Sequence, residues 1–296
     1  MSSSPKALVL GGKTGLLGQA IAGVLHACGW EVVSTGGASE INLAASDAKE
    51  SLARLVDKAA PQVIFNTVAY TQVDAAEDNP ELAARLNSAL PALLGRLARD
   101  AGCRLVHYST DFVFDGKASL PYGVEGKTGP LCVYGKTKLA GEEALLASGL
   151  EKLSIIRTAW LFGPGRKNFV STILGLARER GSLNVVHDQI GSPTYTVDLA
   201  QLTLKLVEAE GNGLFHIVNS GSASWCDFAT EAVNLSHCNC VVQAITSSAY
   251  PQKAMRPAYS VLDTASFARV TGIIPRPWAQ ALREYVFREF LPADEA

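Results

Sequence analysis

From Lys6 onward, short apolar runs alternate with longer stretches in which apolar residues recur at helical spacing. A parallel sheet with helices on both faces meets that order. Residues 6–12, KALVLGG, predict the first strand. Residues 16–27 predict a helix, with Leu17, Ile21, Val24 and Leu25 as its apolar side and Gly29 as its stop. WEVVST and, after Pro61, VIFNTVA at 63–69 read as the second and third strands. A long helix is expected over about 80–101, then the buried strand CRLVHYST, a helix over about 134–147 and the strand KLSIIRTAW. Beyond these, helices near 169–180, 196–208 and 225–235 are separated by short strands such as LFHIVN. The expected fold class is α/β: a Rossmann-like doubly wound parallel sheet lying mainly in residues 1–160. A smaller C-terminal lobe, mainly 161–296, is interleaved with the last sheet elements.

The turn after the first strand is LGGKTGLLG, which sets Gly12, Gly15 and Gly18 at a GxxGxxG spacing. Glycines in a strand-turn-helix let the backbone turn tightly and approach a pyrophosphate, while the helix N-terminus favours the anion. Dinucleotide binding is therefore expected, and residues 1–160 are expected to carry it. The second strand ends in Ser34, Thr35, Gly36 and Gly37, without the carboxylate that would accept the adenosine ribose hydroxyls of NADH. That leaves room for a 2′-phosphate, to which Lys13 can offer a charge, and so leans to NADPH. If Thr35 simply bonds the ribose, either NADPH or NADH serves.

In VYGKTKLAGEE, Tyr134 and Lys138 stand four residues apart and so share one face of a helix. A phenol is a poor acid at neutral pH, but a nearby ammonium stabilises the phenolate. Tyr108, Ser109, Thr110 and Asp111 end a buried strand, where open α/β sheets place their ligands. A hydroxyl there can bond a substrate carbonyl oxygen beside the tyrosine. The three features together suit hydride transfer, and no GxSxG nucleophile elbow points to a serine hydrolase.

Composition narrows the remaining classes. A net charge of −2, a pI near 6.2 and the lack of a basic run argue against a nucleic-acid partner. No apolar run approaches the roughly 18 residues of a membrane span, and residues 1–5 lack the features of a secretory signal, so no membrane partner and a cytoplasmic location are expected. Cys28, Cys103, Cys132, Cys226, Cys238 and Cys240 are scattered apart from the last two, and reduced thiols are expected. His237, Cys238 and Cys240 lack the second ligand pair of a structural zinc site, so no metal is assigned. His107 and His216 fall inside apolar strands and read as core histidines, and Trp225 reads as a helix-start residue that packs on the core.

GKTGLLG, NTVAYTQVDAAE, HYSTDFVFDG, VYGKTKLAGE, IIRTAWLFGPGRKNF, DQIGSPTYTVDLA, GLFHIVNSGSASWCDFA and RPAYSVLDT together resemble the extended short-chain dehydrogenase/reductase superfamily. Within it, the chain resembles the dTDP-4-dehydrorhamnose reductase family along almost its whole length. The resemblance implies NAD(P)H-dependent reduction of the 4-keto group of a dTDP-linked 4-keto-6-deoxyhexose, dTDP-4-dehydro-L-rhamnose, with 161–296 as the substrate-binding lobe. It implies that Tyr134 protonates the C4 oxygen, that Lys138 tunes the phenol and holds the nicotinamide ribose, and that Thr110 refines the geometry. Asp111 and Trp160 would touch the sugar, Arg256 the diphosphate, and Asn168, Gln189 and Thr194 would surround the substrate. Gly15, Leu16 and Leu17 match the pyrophosphate loop, and Asn42 and Leu43 match an Asp-hydrophobic pair near the adenine, with Asn in place of the usual Asp. Ala69, Tyr70, Thr71 and Tyr108 would line the nicotinamide half. Acidic residues that bind Mg²⁺ in some members are not clearly matched, and a homodimer is left open. Two alternatives also stay open: an epimerase or dehydratase of the same superfamily, and a non-catalytic NADP-binding subunit like the regulatory subunit of methionine adenosyltransferase.

Overall fold

A computed structural model describes residues 4–36 and 48–291, so Asn42 and Leu43 lie outside the described residues. In chain order the first half holds β1 (Lys6–Leu10), α1 (Leu16–Ala27), β2 (Glu31–Ser34), α2 (Ala48–Ala59), β3 (Val63–Asn66), α3 (Val73–Ala76), α4 (Pro80–Ala84), α5 (Leu90–Asp100) and β4 (Arg104–Thr110). A wide π turn at Arg85–Ala89 joins α4 to α5, and a tight 3-10 turn at Asp111–Val113 succeeds β4. Then come α6 (Val133–Leu146), β5 (Leu153–Thr158), β6 (Leu161–Phe162), α7 (Phe169–Glu179), β7 (Ser182–Val186), β8 (Ile190–Gly191), β9 (Thr194–Tyr195) and α8 (Thr196–Glu208). The chain continues through β10 (Gly213–His216), β11 (Ala223–Ser224), α9 (Trp225–Leu235), β12 (Val241–Ile245), α10 (Ala265–Thr271) and α11 (Trp278–Glu289).

Six strands form one parallel sheet in the order β10-β5-β4-β3-β1-β2, the doubly wound arrangement expected from the sequence. Its order reverses between β1 and β3, and ligands of such sheets bind beyond the strand ends at that reversal. β3, β4 and β5 are buried on both faces, which explains their continuous apolar character. On one face α1 and α8 cover Val9, Phe65, Val106 and Ile156 through Ile21, Leu25, Leu199 and Leu204. On the other, α2 and α5 cover Leu8, Ile64, Leu105 and Ile155 through Leu52, Val56, Leu90 and Leu94.

The third strand is shorter than the expected 63–69, because after Asn66 the chain is drawn out of the sheet. Thr67 turns its hydroxyl to the Leu10 carbonyl at 2.7 Å, and the Asn87 side chain grips Tyr70, accepting from its N–H at 2.8 Å and donating to its carbonyl at 3.2 Å. The expected single helix over 80–101 is interrupted by the π turn that carries Asn87. Residues 196–216 return to the sheet as α8 and β10. Phe162, Tyr195, Phe228 and Tyr285 gather elsewhere into an aromatic core beneath α7, α9 and α11.

Candidate active site

The glycine loop lies at the C-terminal end of β1. Gly11 takes a left-handed φ of 85°, which turns the chain sharply from strand to helix. A Cβ on Gly18 would run into the Gly11 carbonyl and meet the Thr67 hydroxyl at 2.8 Å, and one on Gly15 would meet the Gly11 carbonyl at 2.9 Å. Helix and strand therefore approach as closely as their backbones allow. Gly15, at the N-cap, has no side chain to cap α1, so an anion can take that place at the positive end of the helix. These features fit a dinucleotide diphosphate. Leu17 is buried in the core and Leu16 is half-buried, so both contribute to the loop through their main chain. Thr35 braces the loop: its hydroxyl accepts from Gly11 N–H at 3.1 Å and donates to the Gly36 carbonyl at 3.0 Å, while its own carbonyl accepts from Lys13 N–H at 2.9 Å. Gly18→Ala is expected to cost about 1–3 kcal/mol in urea unfolding, because the added methyl overpacks this crossing. The same variant should bind NADPH about tenfold or more weakly in a fluorescence titration; unchanged binding would show that the close crossing does not shape the loop.

Two elements bring the reacting groups together. Thr110 ends β4 and caps the adjoining 3-10 turn, accepting from Phe112 N–H at 3.3 Å and donating to Asp111 Oδ1 at 3.0 Å. The other Asp111 oxygen accepts from Ser260 at 2.6 Å. Burial pushes the Asp111 carboxyl up to about 6 against the pull of these two hydroxyls. Tyr134, in the first turn of α6, packs edge-on to Phe112 with ring centroids 5.5 Å apart. Burial drives its phenol above the ordinary value, Thr110 opposes this through a hydrogen bond, and Asp111 and Cys132 add to it. The phenol is thus fully protonated at neutral pH, the state a proton donor needs.

Lys138 is 2% exposed and turns its Nζ to the Tyr108 carbonyl at 2.5 Å, with His107 Nε2 at 3.4 Å. Burial lowers its pKa to about 8, opposed by Glu142. The groups acting on Tyr134 are burial, Thr110, Asp111 and Cys132. The direct tuning by Lys138 that the helical spacing suggests is not among them.

Beside this pair, Phe112, Trp160, Gln189, Trp225, Arg256, Pro257 and Ser260 line a cavity of about 30 Å³. Trp160 holds a left-handed φ of 48°, a strained conformation for a bulky residue, and stacks on Trp225 with ring centroids 3.5 Å apart and planes 5° from parallel. Gly191 makes room for the indole, since a Cβ there would meet its ring at 2.5 Å. Arg256 reaches the cavity while paired in a fork to Asp74, NH1 to Oδ1 at 3.0 Å and NH2 to Oδ2 at 2.9 Å, and this pair holds the Asp74 carboxyl below its ordinary range. A roomier groove of about 360 Å³ runs between α8 and the 273–288 segment, but Arg276 binds Asp198 and Glu284 across it and none of the reacting groups lines it.

Some expected site residues are placed elsewhere. Asn168 caps α7 in a capping box with Ser171 and donates to the Gly163 carbonyl and the Tyr285 hydroxyl, so its amide serves the lobe's own structure. Thr194 donates to the Ser192 carbonyl. The Tyr108 phenol points to Thr203 under α8, because side chains alternate along β4, and only its carbonyl reaches the site. Ala69, Tyr70 and Thr71 come just after β3 at the sheet reversal. Sequence reasoning missed Gly11, Ser260 and the cavity face of Trp225. Gly11 was legible as the neighbour of Gly12, whereas Ser260 is brought to Asp111 only by tertiary folding. Cys238 and Cys240 pack against the cluster containing Ile173 and Val233. Among the described residues no group of three or more His, Cys, Asp or Glu gathers as a metal site, and no helix is long and apolar enough to cross a membrane.

Residues 6–290 match the family model described as RmlD substrate binding domain. A curated dTDP-4-dehydrorhamnose reductase of Aggregatibacter actinomycetemcomitans is 38% identical over 288 residues, covering 93% of this chain and 97% of that protein. Among solved structures, a dTDP-4-dehydrorhamnose reductase of Clostridium acetobutylicum is 38% identical with a TM-score of 0.89, covering 95% of this chain and 98% of that one. A dTDP-4-dehydrorhamnose reductase of Bacillus anthracis, solved in complex with NADP, is 29% identical with a TM-score of 0.90, covering 96% of this chain and 99% of that one.

Proposed function

We propose that the chain, which belongs to the RmlD substrate binding domain family, reduces the 4-keto group of dTDP-4-dehydro-L-rhamnose to give dTDP-L-rhamnose, using NADPH or NADH. The observation that carries this reading is the half-buried, protonated Tyr134 phenol beside Thr110, at the end of a strand next to the sheet reversal that holds the glycine loop. A nicotinamide cofactor bound at that loop supplies the hydride. Tyr134 then donates its proton to the substrate oxygen that becomes the new hydroxyl, and Thr110 fixes the direction of that transfer. Trp160 and Gln189 form the wall against which the sugar would lie, with Asp111 close behind. Arg256 would meet the diphosphate by exchanging its Asp74 partner for phosphate oxygens, which suit a guanidinium fork.

The adenosine end would rest on Lys13, with the buried Thr35 bracing the loop behind it. The NADP complex of the Bacillus anthracis relative supports NADPH as the preferred reductant. We further propose that residues 1–160 mainly hold the cofactor and 161–296 mainly the substrate, with α8 and β10 returned to the sheet.

The test is steady-state kinetics with both reductants on enzymatically generated dTDP-4-dehydro-L-rhamnose. The expected result is stoichiometric oxidation of NADPH only when the keto-sugar is present. Product formed without net consumption of reductant would move the chain to the epimerase reading, and no turnover on any nucleotide keto-sugar would end the reductase reading.

A further inference from the structure

Asn66 and His107 are directly opposed residues on the neighbouring parallel strands β3 and β4, and each is 1% exposed or less. The Asn66 side-chain oxygen accepts from Val68 N–H at 3.2 Å, and this assigns its NH₂ group to the side facing His107, where Nδ2 lies 3.0 Å from Nδ1. A group that only donates there makes Nδ1 an acceptor. The single ring hydrogen of His107 must then sit on Nε2, which faces Lys138 Nζ at 3.4 Å. An ammonium carries three hydrogens and no lone pair, so it opposes that N–H. An amine accepts from it and still donates to the Tyr108 carbonyl at 2.5 Å.

We propose that Asn66 and His107 form a tautomer lock on Lys138, in which the ring N–H of His107 favours the amine form of the lysine. His107 is thereby a positioning residue that sets the charge of Lys138 one helical turn after Tyr134. The role rests on the reductase reading for its use in catalysis but not for its existence. Burial drives His107 well below its ordinary value, so its ring is neutral, and Lys138 is lowered to about 8 in the same direction as the lock. A lysine held in this way places a pH-dependent charge one helical turn from Tyr134, where a lysine near its ordinary value would carry a constant one.

The titratable and charged groups on the elements around Lys138 are Tyr134, Lys136, Glu142 and Glu143 on α6, Arg104, His107 and Tyr108 on β4, Asp111 just after it, Arg157 on β5, Asp74 on α3 and Glu77 just after it, Glu81 on α4, Arg85 in the π turn, and Arg96, Arg99 and Asp100 on α5. Glu142 is held by Arg157, Glu77 accepts from Val133 N–H, and the Tyr108 phenol is turned to Thr203. Only Glu142 acts on Lys138 by charge, and it opposes the lowering.

The experiment is nitrogen-15 NMR of the His107 ring and carbon-13 NMR of the Lys138 side chain, on the full chain without substrate, with signals assigned by His107→Gln and Lys138→Met. Wild type is expected to show Nε2-protonated, Nδ1-bare His107 and a Lys138 midpoint near about 8. Asn66→Asp still accepts from Val68 N–H but presents an oxygen to Nδ1, so the ring hydrogen should move to Nδ1 and the Lys138 midpoint should rise by about one unit or more. A wild-type ring protonated at Nδ1, or a wild-type lysine titrating near its ordinary value, overturns the lock, and the wild-type spectra decide even if the variant does not fold. A chain that reduces no keto-sugar yet gives these spectra defeats the substrate reading and leaves the lock standing.

Discussion

Tyr134→Phe is expected to lower kcat about 10²- to 10⁴-fold, the range over which a positioned proton donor acts, while NADPH binds as tightly as before. The variant keeps the ring that packs edge-on to Phe112 and removes only the hydroxyl that Thr110 bonds. Substrate KM should change little, because the lost interaction is with the oxygen that gains charge during hydride arrival, not with the bound ketone as a whole. Stopped-flow measurement of NADPH oxidation, paired with a cofactor titration, checks both halves. A variant with unchanged kcat would remove Tyr134 as the donor, whereas one that also loses cofactor would show that the phenol builds the cofactor site.

The second large effect is on stability. Glu142→Ala is expected to cost about 3–5 kcal/mol in urea unfolding, because it strands the Arg157 guanidinium inside the molecule. The pair is bidentate, with NH2 to Oε2 at 2.6 Å and Nε to Oε1 at 3.0 Å, and its side chains are 4% and 1% exposed. Arg157 also lies over the Phe114 ring at 5.1 Å and donates to the Val124 carbonyl, so it cannot swing into water when its partner goes. Replacing both residues by apolar ones of similar volume should recover much of the loss, since the desolvation of two charges disappears with their attraction. A midpoint shift for the single variant no larger than that of a surface substitution would show that water reaches Arg157. Because Glu142 stands one turn after Lys138 on α6, the single variant should also loosen the helix that carries Tyr134.

The large elements were legible because their chemistry is local. The helix at Leu16–Ala27 and those at Thr196–Glu208 and Trp225–Leu235 fall where apolar spacing puts them, and the buried strands announce themselves as continuous apolar runs. α2 is not anticipated, since AKESLARLVDKA is strongly charged and its buried face is only Leu52 and Val56 flanked by the small Ala48 and Ala59, with Leu55 packed at its edge. Within the site, Tyr134, Thr110 and the glycines are readable from motif and setting. The partners they use are not. Ser260 comes to Asp111 from 149 residues away by tertiary folding, and Asn66 meets His107 across 41 by strand register, so neither pairing follows from sequence spacing. Asn168 was open to a substrate reading because a helix-cap asparagine and a ligand-binding one look alike in a loop; its fourfold engagement within the lobe distinguishes them.

The π turn at Arg85–Ala89 puts the helix one residue out of step. A regular α-helix through 80–100 would keep a single apolar stripe, but the extra residue rotates α5 by about a quarter-turn relative to α4. Leu90, Leu94 and Ala98 are thereby phased onto the sheet, while Asn87 and Ser88 are phased onto Thr137 of α6, at 3.1 Å and 2.7 Å. One continuous rod thus acts as a splice between two neighbours that need different faces. The Asn87 side chain that grips Tyr70 on one side and Thr137 on the other ties the strand-end loop to the helix of Tyr134, so the two halves of the site share a single mechanical reference.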